Sequence, residues 1–287
     1  TTSSPTDLGV RVFNWTTSGF GSLISSPTST LGLGRTIRFS NDGTVIFVSH
    51  DTGTTYSGSI DMYQWSSSGF GTKFASGQPW SAVGPNFNIS PSDSAIAYTT
   101  GILGGSSSFA FKIVRWNNIT GLGGPYINPS SSYPVGTDIT FRPQDDVILN
   151  SLEDSGGNAK GAEAFQWNPN TGIGTKYTTP VVQNSYPFTN ARFSKTGVEI
   201  VGGTSTSPYY LMAYRWNNGW GTTFTNPSYL PPVSVSATSM SVRAVAVTQY
   251  TNPAQILAYH WSSSGFGSKY TMSSTTSLQY DVSFSNY

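Results

Sequence analysis

The 287-residue chain contains no cysteine and few charged side chains. The absence of cysteine excludes disulfide bonds and thiolate metal sites. Charged residues make up 9% of the chain, against about a quarter in ordinary soluble domains. The 14 basic and 13 acidic residues leave a net charge of +1. Such a balance offers no electrostatic basis for binding nucleic acid or an anionic membrane.

Long apolar runs are also missing. None approaches the roughly 20 apolar residues that a membrane-spanning helix needs, and no charged-then-apolar signal peptide opens the chain. We therefore expect no membrane insertion. The first residue is Thr rather than Met, so we expect the chain to be a processed or excised part of a longer one.

One phrase recurs along the whole chain. Its best-preserved copies are YQWSSSGFGTKF, which begins at Tyr63, and YHWSSSGFGSKY, which begins at Tyr259. The spacings between the tryptophans of successive copies are 50, 51, 51, 49 and 45 residues. The six anchors are Trp15, Trp65, Trp116, Trp167, Trp216 and Trp261. This period indicates one structural unit used six times in a single domain, 1–287.

Each repeat carries four short strand patterns separated by turn residues. In the first complete repeat they are RTIRFS (35–40), TVIFVS (44–49), DMYQW (61–65) and FGTKF (70–74). Alternating apolar residues and the turns SNDG and SSSG predict antiparallel strands that follow one another. Four more repeats show the same order, and VSVSA (233–237) is the least regular of their first strands. Four strands in a unit of about 50 residues are typical of a propeller blade.

The two ends of the chain supply a sixth unit. VRVFNW and GSLIS near the N-terminus match a third and a fourth strand, and YDVSFSN near the C-terminus matches a first strand. We therefore predict an all-β, six-bladed propeller of four-stranded antiparallel blades. Its ring closes where the terminal strands share the last blade, which protects their edges. The second strand of that blade comes either from TTSSPTDL or from outside this chain.

The blade pattern resembles that of WD-repeat proteins. A first strand ends in FSNDG (39–43), echoed by ISPSD (89–93) and FSKTG (193–197), and a third strand ends in Trp. The Asp that follows this Trp in WD repeats is Ser, Asn or Thr here, and the Gly-His signature is absent, so the chain departs from the standard family. The GFGTKY-type phrase also resembles repeats in predicted structural proteins of environmental bacteriophages. That second resemblance implies a virion or another extracellular assembly.

The repeated residues each allow a structural and a binding interpretation. The six Trp rings either fill the spaces between blades, which we favour, or stack on sugars as in repeat lectins. Lys73, Lys176 and Lys269 recur in the fourth strand, where lysine protects an exposed edge from pairing. A ligand contact repeated three times is the alternative for these lysines. The two glycines of SGFG fit a turn that needs positive φ.

Variation among the six units distinguishes the two ends of the blades. The turns between strands one and two and between strands three and four are short and nearly uniform, whereas the other connections differ widely. These two kinds of connection emerge at opposite ends of a blade of alternating strands. One face is therefore uniform and the other is individual, and recognition tends to lie in individual loops on a rigid scaffold.

The individual face is rich in aromatic residues suited to a protein partner or a glycan. The candidates are Tyr56, Trp80, Tyr133, Tyr186, Tyr209, Tyr210, Tyr229 and Tyr250. The competing interpretation is that each ring packs its own loop.

A second candidate set precedes the first-strand aromatic and is expected to line a central channel. Its members are Arg38, Asn88, Thr140, Arg192 and Ser283. The two arginines would either hold an anion or bond carbonyl groups, and we favour the carbonyl groups.

The sequence offers no specific catalytic constellation. His50 lies at a strand end, and His260 fills a polar position that other repeats fill with Asn, Gln or Arg. A Ser-His-Asp grouping, a histidine metal cluster and a phosphate loop cannot be assembled, so we expect no enzyme, no cofactor and no metal. The isolated acids Glu153, Asp154 and Glu163 leave a propeller hydrolase as a minor alternative.

These observations predict a non-enzymatic structural, adhesion or protein-interaction module that is extracellular or associated with a virion. Its expected partners are other protein subunits of an assembly, or surface glycans. The alternative is a multivalent carbohydrate-binding lectin. Repeat lectins need nearly identical pockets, however, and this chain varies most where such pockets would lie.

Overall fold

The structure is a computed structural model that describes eleven stretches of the chain. These are residues 12–17, 19–25, 34–51, 58–74, 83–100, 110–127, 135–154, 157–204, 210–227, 235–249 and 255–270. They form an all-β protein in which the one further regular element within these stretches is a 3-10 turn, Val181–Asn184. No helix among the described residues is long and apolar enough to cross a membrane.

The strands of the described residues form five four-stranded sheets and one hairpin. The N-terminal hairpin contains β1 (Val12–Thr16) and β2 (Gly19–Ile24). Sheet 1 contains β3 (Gly34–Phe39), β4 (Val45–Asp51), β5 (Gly58–Ser66) and β6 (Gly69–Lys73). Sheet 2 contains β7 (Val83–Ile89), β8 (Ala95–Thr100), β9 (Phe111–Asn117) and β10 (Gly121–Pro125). Sheet 3 contains β11 (Val135–Phe141), β12 (Val147–Glu153), β13 (Ala159–Asn168) and β14 (Gly172–Lys176). Sheet 4 contains β15 (Phe188–Phe193), β16 (Glu199–Thr204), β17 (Leu211–Trp216) and β18 (Trp220–Thr223). Sheet 5 contains β19 (Val235–Met240), β20 (Ala244–Gln249), β21 (Gln255–Ser262) and β22 (Gly265–Lys269).

The predicted order of four antiparallel strands is confirmed in all five complete repeats, since consecutive strands are hydrogen-bonded neighbours in every sheet. Several boundaries differ from the prediction. The third strand of sheet 1 begins at Gly58 rather than at Asp61, because its pairing with β4 continues to the end of that strand. The first strand of sheet 5 is Val235–Met240, later than the predicted 233–237. The predicted C-terminal strand, 280–286, lies outside the described residues.

The SGFG phrase forms a turn followed by a β-bulge. Its first glycine has positive φ, for example 99° at Gly69, which a residue with a Cβ rarely adopts. Its second glycine does not have positive φ, so the expectation that both glycines need it was wrong. Tyr63 pairs with Lys73 and Trp65 with Phe70, which leaves Gly71 and Thr72 opposite Gln64 alone. A Cβ on Gly71 would lie 3.2 Å from the Cβ of Gln64, so close approach at the bulge explains this glycine.

Successive sheets pack against one another in chain order. The first strand of each sheet lies on the preceding sheet: β7 on β3 to β5, β11 on β7 to β9, β15 on β11 to β13, and β19 on β15 and β16. Each of these four interfaces contains its own buried apolar cluster. Between sheets 1 and 2, for example, Phe47 and Met62 pack against Phe87 and Ile96. Full burial of each such side chain stabilises the fold by roughly 1.5–3 kcal/mol.

A chain of hydrogen bonds joins the first strands of all five sheets. Thr36 Oγ1 donates to Asn86 Oδ1 at 3.4 Å, and Asn86 Nδ2 donates to the carbonyl of Thr137 at 2.6 Å. Thr137 Oγ1 then donates to the carbonyl of Thr189 at 2.8 Å, and Thr189 Oγ1 to the carbonyl of Val235 at 3.2 Å. The first strands are therefore linked side by side in the order of the chain.

Candidate functional site

Two ends of the sheets carry different connections. We call the end with the turns between strands one and two and between strands three and four the turn face, and the opposite end the loop face. Of the eight aromatic residues predicted for the loop face, the structure describes Tyr186 and Tyr210. The other six, Tyr56, Trp80, Tyr133, Tyr209, Tyr229 and Tyr250, lie outside the described residues.

Both described tyrosines are half-buried and contact the cores between sheets. Tyr186 packs against the cluster between sheets 3 and 4. Tyr210 packs against the cluster between sheets 4 and 5. Each ring therefore packs its own surroundings, as the competing interpretation holds, and still keeps some accessible surface for a partner.

One connection of the loop face is described in full, the segment 177–187 between sheets 3 and 4. Its 3-10 turn lies against β13, where the buried Gln183 accepts a 2.8 Å hydrogen bond at Oε1 from the backbone N–H of Ala162. Gly161 leaves room for this side chain, since a Cβ there would lie 2.8 Å from Gln183 Oε1. Val181, in the same turn, is exposed to solvent. The loop is thus anchored by one buried amide and presents other residues outward.

The turn face is engaged in contacts between sheets. Between sheets 1 and 2, the carboxylate of Asp93 accepts hydrogen bonds from the backbone and side chain of Asn41 at 2.9 and 3.0 Å. It also accepts one from the backbone N–H of Asp42 at 3.1 Å. Asp42 in turn accepts a hydrogen bond from Asn118 Nδ2 at 3.0 Å.

The same kind of bonding recurs further along the turn face. Arg142 Nε donates to the carbonyl of Gly197 at 2.7 Å, which joins sheets 3 and 4. Arg215 Nη2 donates to the carbonyl of Ser263 at 3.0 Å, which joins sheets 4 and 5. The short turns thus contribute to the contacts that hold neighbouring sheets together.

Hydrogen bonds also keep Asp42 ionised. Its carboxylate accepts from Ser40 Oγ at 2.6 Å and from the backbone and side chain of Thr44 at 2.9 and 2.8 Å. These bonds, the one from Ser40 most, lower the pKa of Asp42 to about 2. Asp42 therefore remains a fixed acceptor for Asn118 at neutral pH.

The predicted channel residues interact mainly with the protein itself. Arg38 Nη1 donates to the carbonyl of its neighbour Ile37 at 3.1 Å. Arg192 Nη2 lies 3.2 Å from Asp138 Oδ1, so this arginine pairs with a buried carboxylate of the preceding sheet rather than with a carbonyl.

The other channel candidates differ in their surroundings. Thr140 is buried and donates to the carbonyl of Phe141 at 3.3 Å, and Asn88 is half-buried. Ser283 lies outside the described residues. The structure therefore gives each of the two channel arginines an oxygen acceptor of its own, which weakens the case for an anion site.

Four of the six repeated tryptophans are buried between sheets. Their exposed fractions are 3% for Trp116, 4% for Trp167, 3% for Trp216 and 7% for Trp261. Trp65 is half-buried against Phe39 and Phe70, and the side chain of Trp15 lies outside the described part of the structure. The four buried rings have no face available to a sugar.

The repeated lysines have acidic partners in two sheets. Lys73 Nζ lies 2.7 Å from Asp61 Oδ2 in sheet 1, and Lys176 Nζ lies 2.9 Å from Glu163 Oε1 in sheet 3. Both carboxylates are buried in the face turned toward the preceding sheet. In sheet 4, Met212 and Thr223 occupy the equivalent positions. The ion pair between lysine and an acidic residue is therefore present in some sheets and is not a feature of every repeat.

His50 lies in a polar cluster that the sequence did not predict. Ser59 Oγ lies 2.7 Å from His50 Nε2, and Asp61 Oδ2 lies 3.4 Å from the same nitrogen. A catalytic triad uses one ring nitrogen for the serine and the other for the carboxylate. Here Nδ1 is buried and has no hydrogen-bond partner among the described residues. The geometry of this cluster is therefore not that of a triad. The repeat pattern carries no signal for it, because the equivalent positions of the other sheets hold different residues.

Asp61 is the charged centre of this cluster. Burial by itself would raise the pKa of its carboxyl, but the hydrogen bonds from His50 and Lys73 outweigh burial and lower the pKa below its ordinary value. Asp61 is thus an ionised, fully engaged carboxylate.

The three acids considered for a hydrolase have separate surroundings. Burial, together with the charge of Asp154, raises the pKa of Glu153. Asp154 pairs with Lys160 at 2.9 Å, and Glu163 pairs with Lys176. Within the described stretches, no three His, Cys, Asp or Glu side chains are grouped so that they could hold a metal ion.

Comparison with protein-family models finds no match for this chain, and comparison with curated proteins finds none either.

Proposed function

We propose that this chain is a closed six-bladed β-propeller that serves as a non-enzymatic structural, adhesion or protein-interaction module of a virion or extracellular assembly. It binds neighbouring protein subunits through the loop face. The observation that carries the proposal is the difference between the two faces: the turn face joins sheet to sheet, and the loop face holds the individual connections. A rigid scaffold with variable loops at one end is the usual arrangement of a recognition module.

Three features support ring closure. Sheets 1 to 5 pack in chain order, and their first strands are hydrogen-bonded in the same order. The N-terminal hairpin precedes sheet 1 in this series, because Ile24 Cγ2 lies 2.6 Å from the position of a Cβ on Gly69. Phe74 lies in the same way against Gly121 of sheet 2, where the corresponding distance is 3.5 Å.

The third feature is apolar surface on sheet 1. Ile37 and Phe39 are 39% and 45% exposed, whereas the equivalent Ile139 and Phe141 of sheet 3 are 1% and 5% exposed under sheet 2. We infer that the C-terminal segment 271–287 joins the hairpin and covers this surface.

Closure is tested by deleting residues 271–287 from the full chain. We expect the midpoint of thermal unfolding to fall by at least about 2–4 °C, the shift that follows from a loss of about 1 kcal/mol in a chain of this size. Binding of a hydrophobic dye should rise as well. Deletion of 1–8 is the comparison, and a loss of similar size there would assign the missing second strand to the N-terminus. Unchanged stability after deletion of 271–287 would contradict closure by that segment.

The binding face is tested by cross-linking with an amine-reactive reagent in the native source, followed by mass spectrometry. Lys160 lies at the loop-face end of β13, and Lys195 lies in the first turn of sheet 4 on the turn face. We expect cross-links to other proteins at Lys160 and few at Lys195. A soluble monomer without intermolecular cross-links would contradict the proposal.

A lectin remains the second candidate because of the predicted aromatic residues of the loop face. A glycan-array screen of the purified chain distinguishes the two candidates. Binding with several equivalent sites per chain would favour the lectin and count against the assembly module. If the loop face binds protein, we expect no binding with several equivalent sites per chain.

A further inference from the structure

A cleft of about 400 Å3 opens on the turn face between sheets 1 and 2. The cleft is lined by the start of β4, by β5 and β6 of sheet 1, and by the turn after β9 in sheet 2. Its volume falls within the range of roughly 300–1,000 Å3 that is usual for small-molecule sites. The cleft is separate from the loop face, and the half-buried Trp65 is part of its lining.

The residue before the repeated tryptophan is one cause of this opening. In sheet 4 it is Arg215, whose guanidinium bonds the carbonyl of Ser263 at 3.0 Å and so bridges the gap to the next sheet. In sheet 2 it is Arg115, which lies over the ring of Tyr126 at 4.2 Å. In sheet 1 it is Gln64, a shorter side chain that lines the cleft.

The length of the facing turn is the other cause. The turn of sheet 2 has four residues between Trp116 and the following glycine, 117–120, and it projects Asn118 and Ile119 beside Gln64. Sheet 3 also has glutamine, Gln166, but the turn that faces it has only two residues, 217–218. A short side chain and a long facing turn therefore coincide at sheets 1 and 2.

The lining of the cleft is neutral, polar and partly apolar. Gln64 and Asn118 supply amides, and Thr44 and Ser66 supply hydroxyl groups. The half-buried Trp65 and Ile119 supply apolar surface, and Ile119 is 85% exposed, whereas Val45 lies in the core behind the cleft. No charged side chain lines the cleft within the described part of the chain.

Asn118 is held in place from behind. Its Nδ2 donates to Asp42 Oδ2 at 3.0 Å, and Asp42 is itself fixed by Ser40 and Thr44. The amide oxygen of Asn118 is then a positioned acceptor at the wall of the cleft. In small-molecule sites, a few fixed polar groups beside an apolar surface determine the orientation of the bound ligand.

We propose that this cleft binds a neutral saccharide of one or two units. Sugar hydroxyl groups need both donors and acceptors, which amides and hydroxyl groups provide, and the C–H face of a sugar ring needs apolar surface such as Ile119. A charged ligand would find no counter-charge in the lining. The site goes beyond the proposed function, since it lies on the opposite face from the loops that are proposed to bind protein.

In the test, the purified full chain is titrated with glucose, galactose, mannose, N-acetylglucosamine, maltose and lactose. Saturation-transfer NMR detects the binding of each sugar. The decisive variant is Gln64→Arg, which introduces the residue that sheets 2 and 4 already carry at this position. We expect it to weaken binding at least tenfold by filling the cleft. Gln166→Arg is the matched control, and it should leave binding unchanged because Gln166 lies in sheet 3 and is not part of the lining of this cleft.

Two further readouts make the outcome unambiguous. Thermal unfolding should show that both variants fold, and Asn118→Ala replaces Gln64→Arg if the latter does not. Absence of binding by all six sugars, or equal loss in both arginine variants, would overturn the proposal. Cross-linking at Lys160 is independent of this cleft, so failure of the saccharide site and failure of the assembly function can be told apart.

Discussion

The ring of Phe74, at the end of sheet 1, lies edge-on against the ring of Trp116 in sheet 2, with 5.4 Å between centroids and 80° between planes. The same pair recurs at the next interface, where Tyr126 lies 5.1 Å from Trp167. Tyr177 and Trp216 at 5.0 Å, and Phe224 and Trp261 at 4.9 Å, complete the series. The aromatic residue that ends one copy of the phrase therefore contacts the tryptophan of the next copy. Each repeat contributes to two interfaces.

Replacement of Trp116 by alanine tests how much this contact contributes to the stability of the fold. We expect Trp116→Ala to lower the free energy of unfolding by about 3–5 kcal/mol, because the ring is buried and its removal leaves a cavity between sheets 1 and 2. Urea unfolding followed by circular dichroism measures the change. Ile119→Ala, in the neighbouring exposed turn, is the control and should change stability by less than about 0.5 kcal/mol. A loss for Trp116→Ala no larger than that of the control would contradict the packing role.

Two adjacent glycines test the bulge. A Cβ on Gly123 would lie 2.9 Å from the Cβ of Arg115, whereas a Cβ on Gly124 would meet nothing within 4 Å. We therefore expect Gly123→Ala to destabilise the protein by about 1–3 kcal/mol. Gly124→Ala should stay within about 0.5 kcal/mol of the parent chain. Midpoints of thermal unfolding report both values, and equal effects would show that close approach does not select the second glycine of the phrase.

The ion pair of sheet 3 can be exchanged for the uncharged pair of sheet 4. Lys176→Ala leaves the buried carboxylate of Glu163 without its ammonium partner, so we expect a loss of about 1–3 kcal/mol. The double variant Glu163→Met with Lys176→Thr should recover most of that loss, because Met212 and Thr223 occupy these positions in sheet 4 and a buried pair is often replaceable by apolar groups. Urea unfolding midpoints compare the three chains. A double variant no more stable than Lys176→Ala would mean that the charge is needed at this interface.

Low pH should weaken the contacts of the turn face, because Asp42 becomes protonated. Its pKa is lowered to about 2 in the folded protein, below the usual value of about 3.9 for an unfolded chain. The stabilisation from the carboxylate is therefore present above about pH 4 and is lost as the pH falls toward 2.

The variant Asp42→Asn checks this pH dependence. Its stability relative to the parent chain should be lower at pH 6, and the difference should shrink progressively between about pH 4 and pH 2. Thermal unfolding across this range measures it. A difference that is the same at pH 6 and pH 2 would show that ionisation of Asp42 does not stabilise the turn face.

The strand order and the repeat boundaries could be read from the sequence because they depend on local patterns. Alternating apolar residues such as those of TVIFVS, and turn residues such as SNDG, determine where a strand begins and ends within a few residues. The fourth strand of sheet 1 was predicted to begin at Phe70, but it begins one residue earlier, at Gly69, whose positive φ closes the turn.

The contacts of individual side chains could not be read in the same way. Arg192 was expected to bond a carbonyl, but it pairs with Asp138, a residue 54 positions away in the preceding sheet. The cluster of His50, Ser59 and Asp61 and the cleft at Gln64 were not expected at all. Each depends on which residues of two neighbouring strands or sheets come together.

The sequence by itself determined the repeat, its four strands and the tryptophan that anchors each copy, since these follow from local periodicity and from turn chemistry. Only the tertiary structure decided which repeated residues are buried and which remain accessible. The reason is that burial, ion pairing and cleft shape depend on the neighbouring sheet. Gln64 and Gln166 occupy the same place in the repeat, yet Gln64 faces a turn of four residues and lines a cleft, whereas Gln166 faces a turn of two residues.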